Sequence, residues 1–260
     1  MATTIRMICH KITDYPEIEL YPISDLHVGS KEFDEAQFQK LSREIMAQPN
    51  RFVMMAGDLV DNGIKSSVSS PYDAVMQPAA QRQYAAEILQ PLQSRILAMC
   101  SGNHEYRSRK DTDTDPAELI AERLGIIELF RPDIAFVKID LGTRASGNVR
   151  SPKYCIALTH GSGGGMLLGA GLSKSEPFAQ ALGVDLLISG HSHKPATAPS
   201  VRFECAMAKG VMVSREIRIM VATGWLEYAG YPARKMMKPV AIRPNKAILS
   251  ADRFDIQVLS

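Results

Sequence analysis

The stretch DLLISGHSH, residues 185–193, contains the pattern that first indicates both the fold and the site. A short apolar run, typical of a buried strand, is followed at once by Gly190 and by the pair His191 and His193. Residues two apart in an extended segment point to the same side, so both imidazoles would face one place. Two unrelated surface histidines would give the same pattern. The choice depends on whether other ligand side chains follow neighbouring strands.

The composition is that of a folded chain without an obvious membrane or nucleic-acid character. Of its 260 residues, 45% are hydrophobic and 22% are charged, which allows a large core. A net charge of +2 does not indicate a general nucleic-acid or membrane surface. No apolar run has the length of a membrane span, and the N-terminus lacks the apolar stretch of a signal peptide. We therefore expect a cytoplasmic protein with no membrane partner.

The four cysteines are far apart and form no Cys-x-x-Cys pattern, which argues against a zinc knuckle. They are predicted to be small, buried and reduced. They are Cys9, Cys100, Cys155 and Cys205.

Short apolar runs bounded by turn residues predict a series of strands. The runs cover residues 7–12, 18–23, 52–56, 95–100, 134–140, 154–159, 185–189 and 211–222. Helical patterns lie between several of them, with recognisable start and stop residues. These are Asp34 for the first helix, Pro78 and Pro91 for the second, Asp115 and Gly125 for the third, and Ser173 and Gly183 for the fourth. The alternation predicts an α/β fold over residues 18–190, within one domain spanning 1–260.

Polar residues follow five of the predicted strands, where functional groups gather in α/β sheets. They are Asp25 and His27, Asp58 and Asp61, Asn103 with His104 and Glu105, His160, and His191 with His193. Five of the six histidines in the chain are among them. Oxygen and nitrogen donors without a thiolate suit manganese, iron, zinc, nickel or cobalt rather than a closed structural zinc site. The candidates outnumber what one ion needs, so two divalent ions that share a carboxylate are predicted.

The five blocks resemble, in their order, those of the calcineurin-like metallophosphoesterase superfamily. They read Asp-x-His, Gly-Asp-x-x-Asp, Gly-Asn-His-Glu, His-Gly and Gly-His-x-His over residues 24–193. The resemblance implies an α/β fold in which a two-sheet β-sandwich is flanked by helices in an αββα arrangement. It also implies a dinuclear, metal-dependent phosphoesterase in which a metal-bridging hydroxide attacks phosphorus, with manganese as the expected metal.

The same resemblance implies roles for individual residues. Asp25, His27 and His193 would bind the first ion, Asp58 would bridge, and Asn103, His160 and His191 would bind the second. His104 would be the catalytic histidine that stabilises the transition state or protonates the leaving oxygen. Asp61 and Glu105 would orient ligands or loops, with a purely structural role as the alternative.

The substrate is less well defined by the sequence. The protein phosphatase branch has an arginine where GDLVDNG places Asn62, which argues against a protein phosphatase. We expect a phosphodiesterase acting on nucleic acid or nucleotides, and the alternatives are a phosphomonoesterase and a catalytically silent binding scaffold. Arg107 and Arg109 lie in a charged segment, 105–113, interpreted as a loop that either contacts substrate phosphates or is merely solvated.

Two further segments have two interpretations each. The glycine-rich stretch 161–171 is either a mobile element that approaches the substrate or a plain connection. Trp225, in the aromatic stretch 224–231, either stacks a base or packs in the core. This layout is similar to that of stand-alone bacterial and phage metallophosphoesterases, and the sequence does not indicate an oligomeric state.

Overall fold

A computed structural model describes residues 4–65, 67, 74–142, 151–163, 165, 167, 169–230, 233 and 238–259. These residues form twelve strands and five α-helices. The strands are β1 (Ile8–Lys11), β2 (Glu17–Ile23), β3 (Arg51–Ala56), β4 (Ile96–Cys100), β5 (Phe130–Arg131), β6 (Ile134–Asp140), β7 (Lys153–Thr159), β8 (Leu186–Ser189), β9 (Ala196–Ala206), β10 (Val211–Val221), β11 (Lys246–Ser250) and β12 (Ile256–Leu259). The helices are α1 (Glu35–Met46), α2 (Pro78–Leu89), α3 (Asn103–Thr112), α4 (Pro116–Arg123) and α5 (Ala170–Leu182).

The strands form two six-stranded mixed sheets. One sheet has the order β1-β6-β7-β8-β10-β9, and the other has the order β12-β11-β2-β3-β4-β5. In the second sheet, β2, β3, β4 and β5 run parallel to one another. In the first, β7, β8 and β10 are parallel. The polar segments after β2, β3, β4, β7 and β8 therefore all leave from carboxyl ends of parallel strands.

The two sheets pack face to face and are covered by helices on both outer sides. Apolar side chains of both sheets share one buried cluster, which includes Leu20, Met54, Ile156 and Leu186. The outer face of the second sheet packs against α1, α2 and α4, and the outer face of the first packs against α5. Strand β3 is buried on both faces, because Val53 and Met55 belong to the outer cluster while Met54 belongs to the inner one. The predicted αββα sandwich is confirmed.

Local sequence signals account for most of the helix ends. The Asp34 carboxylate accepts a hydrogen bond from Gln37 N at the start of α1, and Asp115 does the same for Ala117 N at α4. Pro78 is the first residue of α2, and the chain tightens into a 3-10 helix, Gln90–Arg95, at Pro91. These predicted boundaries are confirmed.

Two predictions about helices are wrong. The segment 105–113, interpreted as a loop, forms most of α3, because the Glu105 side chain satisfies the Gly102 N–H at the helix start, and Asp113 ends it with a φ of +56°. Helix α5 begins at Ala170 rather than after Ser173, whose hydroxyl donates to the Ala170 carbonyl inside the first turn. Its predicted end is confirmed, since Gly183 has a φ of +69°.

The cysteines are all reduced, but only Cys100 is fully buried and Cys155 half-buried, whereas Cys9 and Cys205 are exposed. The prediction that all four are buried is therefore wrong for two of them. Both exposed thiols lie on edge strands, β1 and β9. In the part of the chain that the structure describes, no helix is long and apolar enough to span a bilayer.

Trp225 packs in the core and does not present its ring to a ligand. It is fully buried, and its indole meets the Phe38 ring edge to face at a centroid distance of 5.5 Å. Its backbone N–H donates to the Asp25 carbonyl, and its carbonyl accepts from Asp34 N. The base-stacking interpretation is therefore excluded for Trp225. Its backbone hydrogen bonds instead connect the segment after β10 to the start of α1.

Replacing Trp225 with alanine is expected to reduce the free energy of unfolding by about 3–5 kcal/mol, because the cavity cannot be refilled by neighbouring side chains. The matched control is Tyr228→Ala, which removes an aromatic ring that is 46% exposed in the same segment. That change should cost no more than about 1 kcal/mol. Urea titrations of both variants measure the difference, and equal losses would contradict the core role of Trp225.

Candidate metal centre

The carboxyl ends of strands from both sheets meet at one place and bring the predicted ligands together. Among the described residues, three groups of ligand atoms lie within 4.8 Å of one another. The first group is Asp25 with His27 and His193, and the second is Asp58 with His160 and His191. A third group, His27 with Asp58 and His104, overlaps both. Residues that are up to 168 positions apart in the chain therefore share one small volume. Such groups could hold metal ions.

The first group consists of residues from the ends of β2 and β8. His193 Nε2 lies 3.1 Å from Asp25 Oδ1, and His27 Nε2 lies 3.2 Å from His193 Nε2. The other Asp25 oxygen, Oδ2, accepts a hydrogen bond from the His191 backbone N–H at 2.9 Å. This bond fixes the carboxylate and leaves Oδ1 directed at the two imidazoles.

The second group gathers residues that follow β3, β4, β7 and β8. Asn103 Oδ1 lies 2.7 Å from His191 Nδ1 and 3.0 Å from His160 Nε2. His160 Nδ1 donates to the Ala56 carbonyl at 2.7 Å, so its Nε2 atom is the one directed at the group. Imidazole nitrogens and amide oxygen at these separations are donors suited to a transition-metal ion.

Asp58 belongs to the second group and also faces the first. Its Oδ2 atom is 3.2 Å from His160 Nε2 and 3.9 Å from His27 Nε2. Its Oδ1 atom accepts a hydrogen bond of 2.8 Å from the His104 backbone N–H at the start of α3. The carboxylate is 2% exposed, so solvent does not screen it from either group.

The backbone at this place is strained. Six of the seven non-glycine residues with positive φ in the described chain belong to it: Asp25, His27, Asp58, Asn62, His191 and His193, with φ between +46° and +67°. Each such conformation costs roughly 1–2 kcal/mol relative to the right-handed region. Concentrated strain of this kind is typical of functional sites, where tightly turned loops direct side chains inward.

A buried carboxylate, Glu105, holds the Asp58 turn in place. Its two oxygens accept hydrogen bonds from the backbone N–H groups of Asp58, Leu59, Val60 and Gly102, at 2.7–3.2 Å. Gly102 also allows the close approach of α3, because a Cβ there would overlap Asp58 Oδ1. Burial, together with the charge of Asp58, raises the pKa of Glu105 to about 7.

The electrostatics of the centre are those of charged groups held out of water. Burial alone would raise the pKa of Asp58, but His160 and His104 hold it well below its ordinary value. Burial alone would lower the pKa of His160, but Asp58 raises it to about 10. A cation that bound beside Asp58 would therefore displace a proton from His160, as metal ions do at imidazole ligands.

His104 belongs to the overlapping third group and lies beside the first two. Its Nδ1 donates to the Asp61 carbonyl at 2.6 Å, which directs Nε2 toward Asp58 Oδ2 at 3.9 Å. Neighbouring Asn103 and His104 both face the centre from different sides of the first turn of α3. Arg107 lies alongside, with Nη1 3.4 Å from His104 Nδ1, whereas Arg109 pairs with Asp133 at 3.5 Å.

Two residues at the centre, Lys194 and Gly224, were not singled out by the sequence patterns. Lys194 is 4% exposed, and its Nζ donates to the Gly165 carbonyl, so a buried cation directly follows His193. Gly224, after β10, leaves room for the His193 ring, which a Cβ would crowd. Of these two, only Gly224 could have been suspected from the sequence, because it follows a strand that is parallel to β8. Asn62, which the sequence did single out, is buried and donates from Nδ2 to the His104 carbonyl and Ser108 Oγ.

Replacing Glu105 with glutamine is expected to lower the free energy of unfolding by roughly 2–5 kcal/mol, since two of the four N–H donors would face an amide NH₂ group. The loss should be accompanied by weaker Mn²⁺ binding, because the Asp58 turn is released. The control is Glu122→Gln on the exposed face of α4. Thermal unfolding and calorimetric Mn²⁺ titration check both effects, and unchanged Mn²⁺ affinity would contradict the link between Glu105 and Asp58.

Comparison with solved structures gives low overall similarity over nearly the whole chain. An uncharacterized protein from Streptococcus pneumoniae, described as a predicted phosphoesterase, aligns with a TM-score of 0.41 and 14% identity, covering 94% of this chain and 90% of its own. Plasmodium GAP50, described as the anchor in the inner membrane complex, gives 0.44 and 10%, covering 95% and 85%. Haemophilus influenzae NAD nucleotidase gives 0.39 and 12%, covering 94% and 49%. These TM-scores are too low to bear on a substrate.

Comparison at the level of sequence is more decisive. No curated protein matches the chain significantly. Residues 21–195, which include every predicted ligand, match the model of the calcineurin-like phosphoesterase family. That family typically uses a dinuclear metal site, in keeping with the aspartate and histidine groups found here. The chain therefore belongs to the calcineurin-like phosphoesterase family and is a hydrolase that acts on phosphoester bonds.

Proposed function

We propose that this phosphoesterase is a dinuclear metal-dependent phosphodiesterase that acts on nucleic acid or nucleotides. The observation that carries the proposal is the position of Asp58, with one carboxylate oxygen within 3.9 Å of imidazoles from two separate ligand groups. A carboxylate in this position is what two neighbouring cations require, because it offsets part of their mutual repulsion.

The proposed ligand sets follow the two groups. Asp25, His27 and His193 hold the first ion, and Asn103, His160 and His191 hold the second, with Asp58 shared. Asn103 completes the second set, since its amide oxygen lies between the two imidazoles of that group. Asp61 orients His104 through its carbonyl, and Glu105 holds the Asp58 turn through hydrogen bonds to its backbone.

The side chains present fit such ions. The buried Oδ1 atom of Asp25 accepts no hydrogen bond of regular geometry, although His193 Nε2 lies 3.1 Å away. The facing Nε2 atoms of His27 and His193, 3.2 Å apart, are likewise better satisfied by a shared cation than by each other. When bound, divalent cations would withdraw charge from phosphoryl oxygens and activate water. Manganese is the proposed metal, and iron, zinc, nickel or cobalt would suit the same donors.

His104 is proposed to protonate the leaving oxygen. The Asp61 carbonyl fixes a proton on Nδ1, and the side chain is 15% exposed, so Nε2 can reach both the centre and an incoming substrate. A positioned imidazole is the side chain most often used as a general acid. Because His104 is not part of either proposed ligand set, its removal should leave ion binding intact.

A diester is favoured over a phosphoprotein by the surroundings of Asn62. The branch that dephosphorylates proteins has an arginine here, whereas the Asn62 amide is buried and donates to the His104 carbonyl beneath α3. On α3, Arg107 Nη1 lies 3.4 Å from His104 Nδ1, and we propose that Arg107 contacts a phosphate next to the scissile one. Arg109 is a weaker candidate for such a contact, because its guanidinium lies 3.5 Å from the Asp133 carboxylate.

The alternatives are a phosphomonoesterase and a silent scaffold. A scaffold has no need to retain the ligand set and the acid histidine, and this chain has all of them. In the glycine-rich stretch 161–171, parts of which lie outside the described residues, Gly161 and Gly171 line a cavity of about 470 Å³ that also includes Gly190, large enough for part of a substrate.

Mn²⁺-loaded protein is expected to turn over bis(p-nitrophenyl) phosphate faster than p-nitrophenyl phosphate. Treatment with EDTA should abolish both activities, and added Mn²⁺ should restore them. Faster turnover of the monoester would replace the diesterase assignment with a phosphomonoesterase. Turnover of neither ester by the loaded protein would favour the scaffold.

A His104→Ala variant should lose roughly 10²- to 10⁴-fold in kcat toward the diester while binding as much Mn²⁺ as the natural chain. The control is His10→Ala, which removes the one histidine outside the centre, where Nε2 pairs with the Leu97 carbonyl. Steady-state rates measured alongside metal content separate the two roles. Undiminished turnover without His104, or loss of one ion, would contradict its assignment as the acid.

A further inference from the structure

The hairpin of β9 and β10 extends beyond the rest of the fold. The first six residues of β10 are exposed, and in β9 the residues from Val201 onward alternate between exposed and half-buried. A two-stranded ribbon alone is only marginally stable in water. Strand β9 is also an edge strand, so one side of its backbone has no neighbouring strand in the described chain.

This edge has only part of the usual protection against pairing, because its two charged residues, Arg202 and Glu204, already pair with each other at 2.6 Å. Val201 and Phe203 are 52% and 68% exposed on one face of β9, and Met212 of β10 is 59% exposed beside them. Edge strands that stay unpaired are commonly short, charged or interrupted by proline. Strand β9 contains one proline, Pro199, which lies before this stretch. It shortens the segment that could pair but does not prevent the exposed residues from pairing.

We propose that β9 pairs antiparallel with β9 of a second copy of this chain, centred on Phe203, and joins two sheets into one across a two-fold axis. In this register Phe203 faces its own counterpart. Arg202 lies opposite Glu204 of the other copy, and Val201 lies opposite Cys205. Ser200 and Ala206, both small, form the next pair.

The charges argue for self-association in this register rather than for a different partner. Within one chain the Arg202 guanidinium already lies 2.6 Å from Glu204 Oε1, and both side chains share the face opposite to Phe203. Two-fold pairing doubles this into a network of two cations and two anions. A centre on Arg202 or on Glu204 would instead place like charges directly opposite each other, which is destabilising.

The full-length chain should therefore sediment as a dimer, and Phe203→Glu should convert it to a monomer by placing two carboxylates opposite each other. Ile5→Glu, at a 58% exposed aliphatic side chain outside the hairpin, should remain dimeric. Arg202→Glu should weaken the dimer by roughly tenfold, and the exchange R202E/E204R should restore it. Circular dichroism of each variant is the control that it is folded.

Cross-linking tests the register. In a C9S background, V201C should form a disulfide with the native Cys205 of the other copy on mild oxidation, giving a covalent dimer on a non-reducing gel. Within one chain these positions are four residues apart on a strand, about 13 Å, too far to bridge. Adding C205S should abolish the cross-link. A monomeric natural chain, a dimer insensitive to F203E, or a cross-link that survives C205S would each overturn the proposal.

Discussion

The Asp58 carboxylate, held without solvent between imidazoles that come from both sheets, is the contact on which the rest of the centre depends. One of its oxygens is tied to the first turn of α3 through His104 N, and the other lies between His160 and His27. Since the two imidazoles come from different sheets, the position of Asp58 also fixes how the carboxyl ends of those sheets meet. Stability and chemistry are therefore coupled at this residue.

Keeping a carboxylate there requires contributions from elsewhere in the fold. The Asp58 turn has a left-handed backbone, and it is held by three consecutive N–H groups bonded to Glu105. Glu105 is itself buried, and burial and the charge of Asp58 raise its pKa to about 7. The position of Asp58 therefore destabilises the ionised form of Glu105. Cations beside Asp58 would relieve that repulsion, which links metal binding to the integrity of the loop.

Much of this could be predicted from the sequence because it depends on short-range patterns. Apolar runs identified eight of the twelve strands and missed β5, β9, β11 and β12. The polar residues after the predicted strands identified every side chain now found in the three ligand groups. The resemblance in block order then supplied the sandwich. The roles of individual residues, such as Asn103 as a ligand or Arg107 as a substrate contact, remain predictions.

Other features depend on contacts between distant residues and could not be predicted in this way. The highly charged segment after Asn103 has a poor apolar pattern, yet it is helical because the Glu105 carboxylate and the Asp58 turn support its first turn. For Trp225 the sequence offered core packing as one of two interpretations, and the contact with Phe38 of α1, over 187 positions, decides for it. Lys194 gives no pattern at all, since its burial results from the approach of the glycine-rich segment.

The most direct test of the central claim is elemental analysis of the protein after loading with Mn²⁺ and removal of free metal. The natural chain should retain about two ions per molecule, because one carboxylate serves both ligand groups. An Asp58→Asn variant, with the shared charge removed, should retain clearly fewer. Fewer than one ion in the natural chain, or the same content in both proteins, would contradict a dinuclear centre built around Asp58.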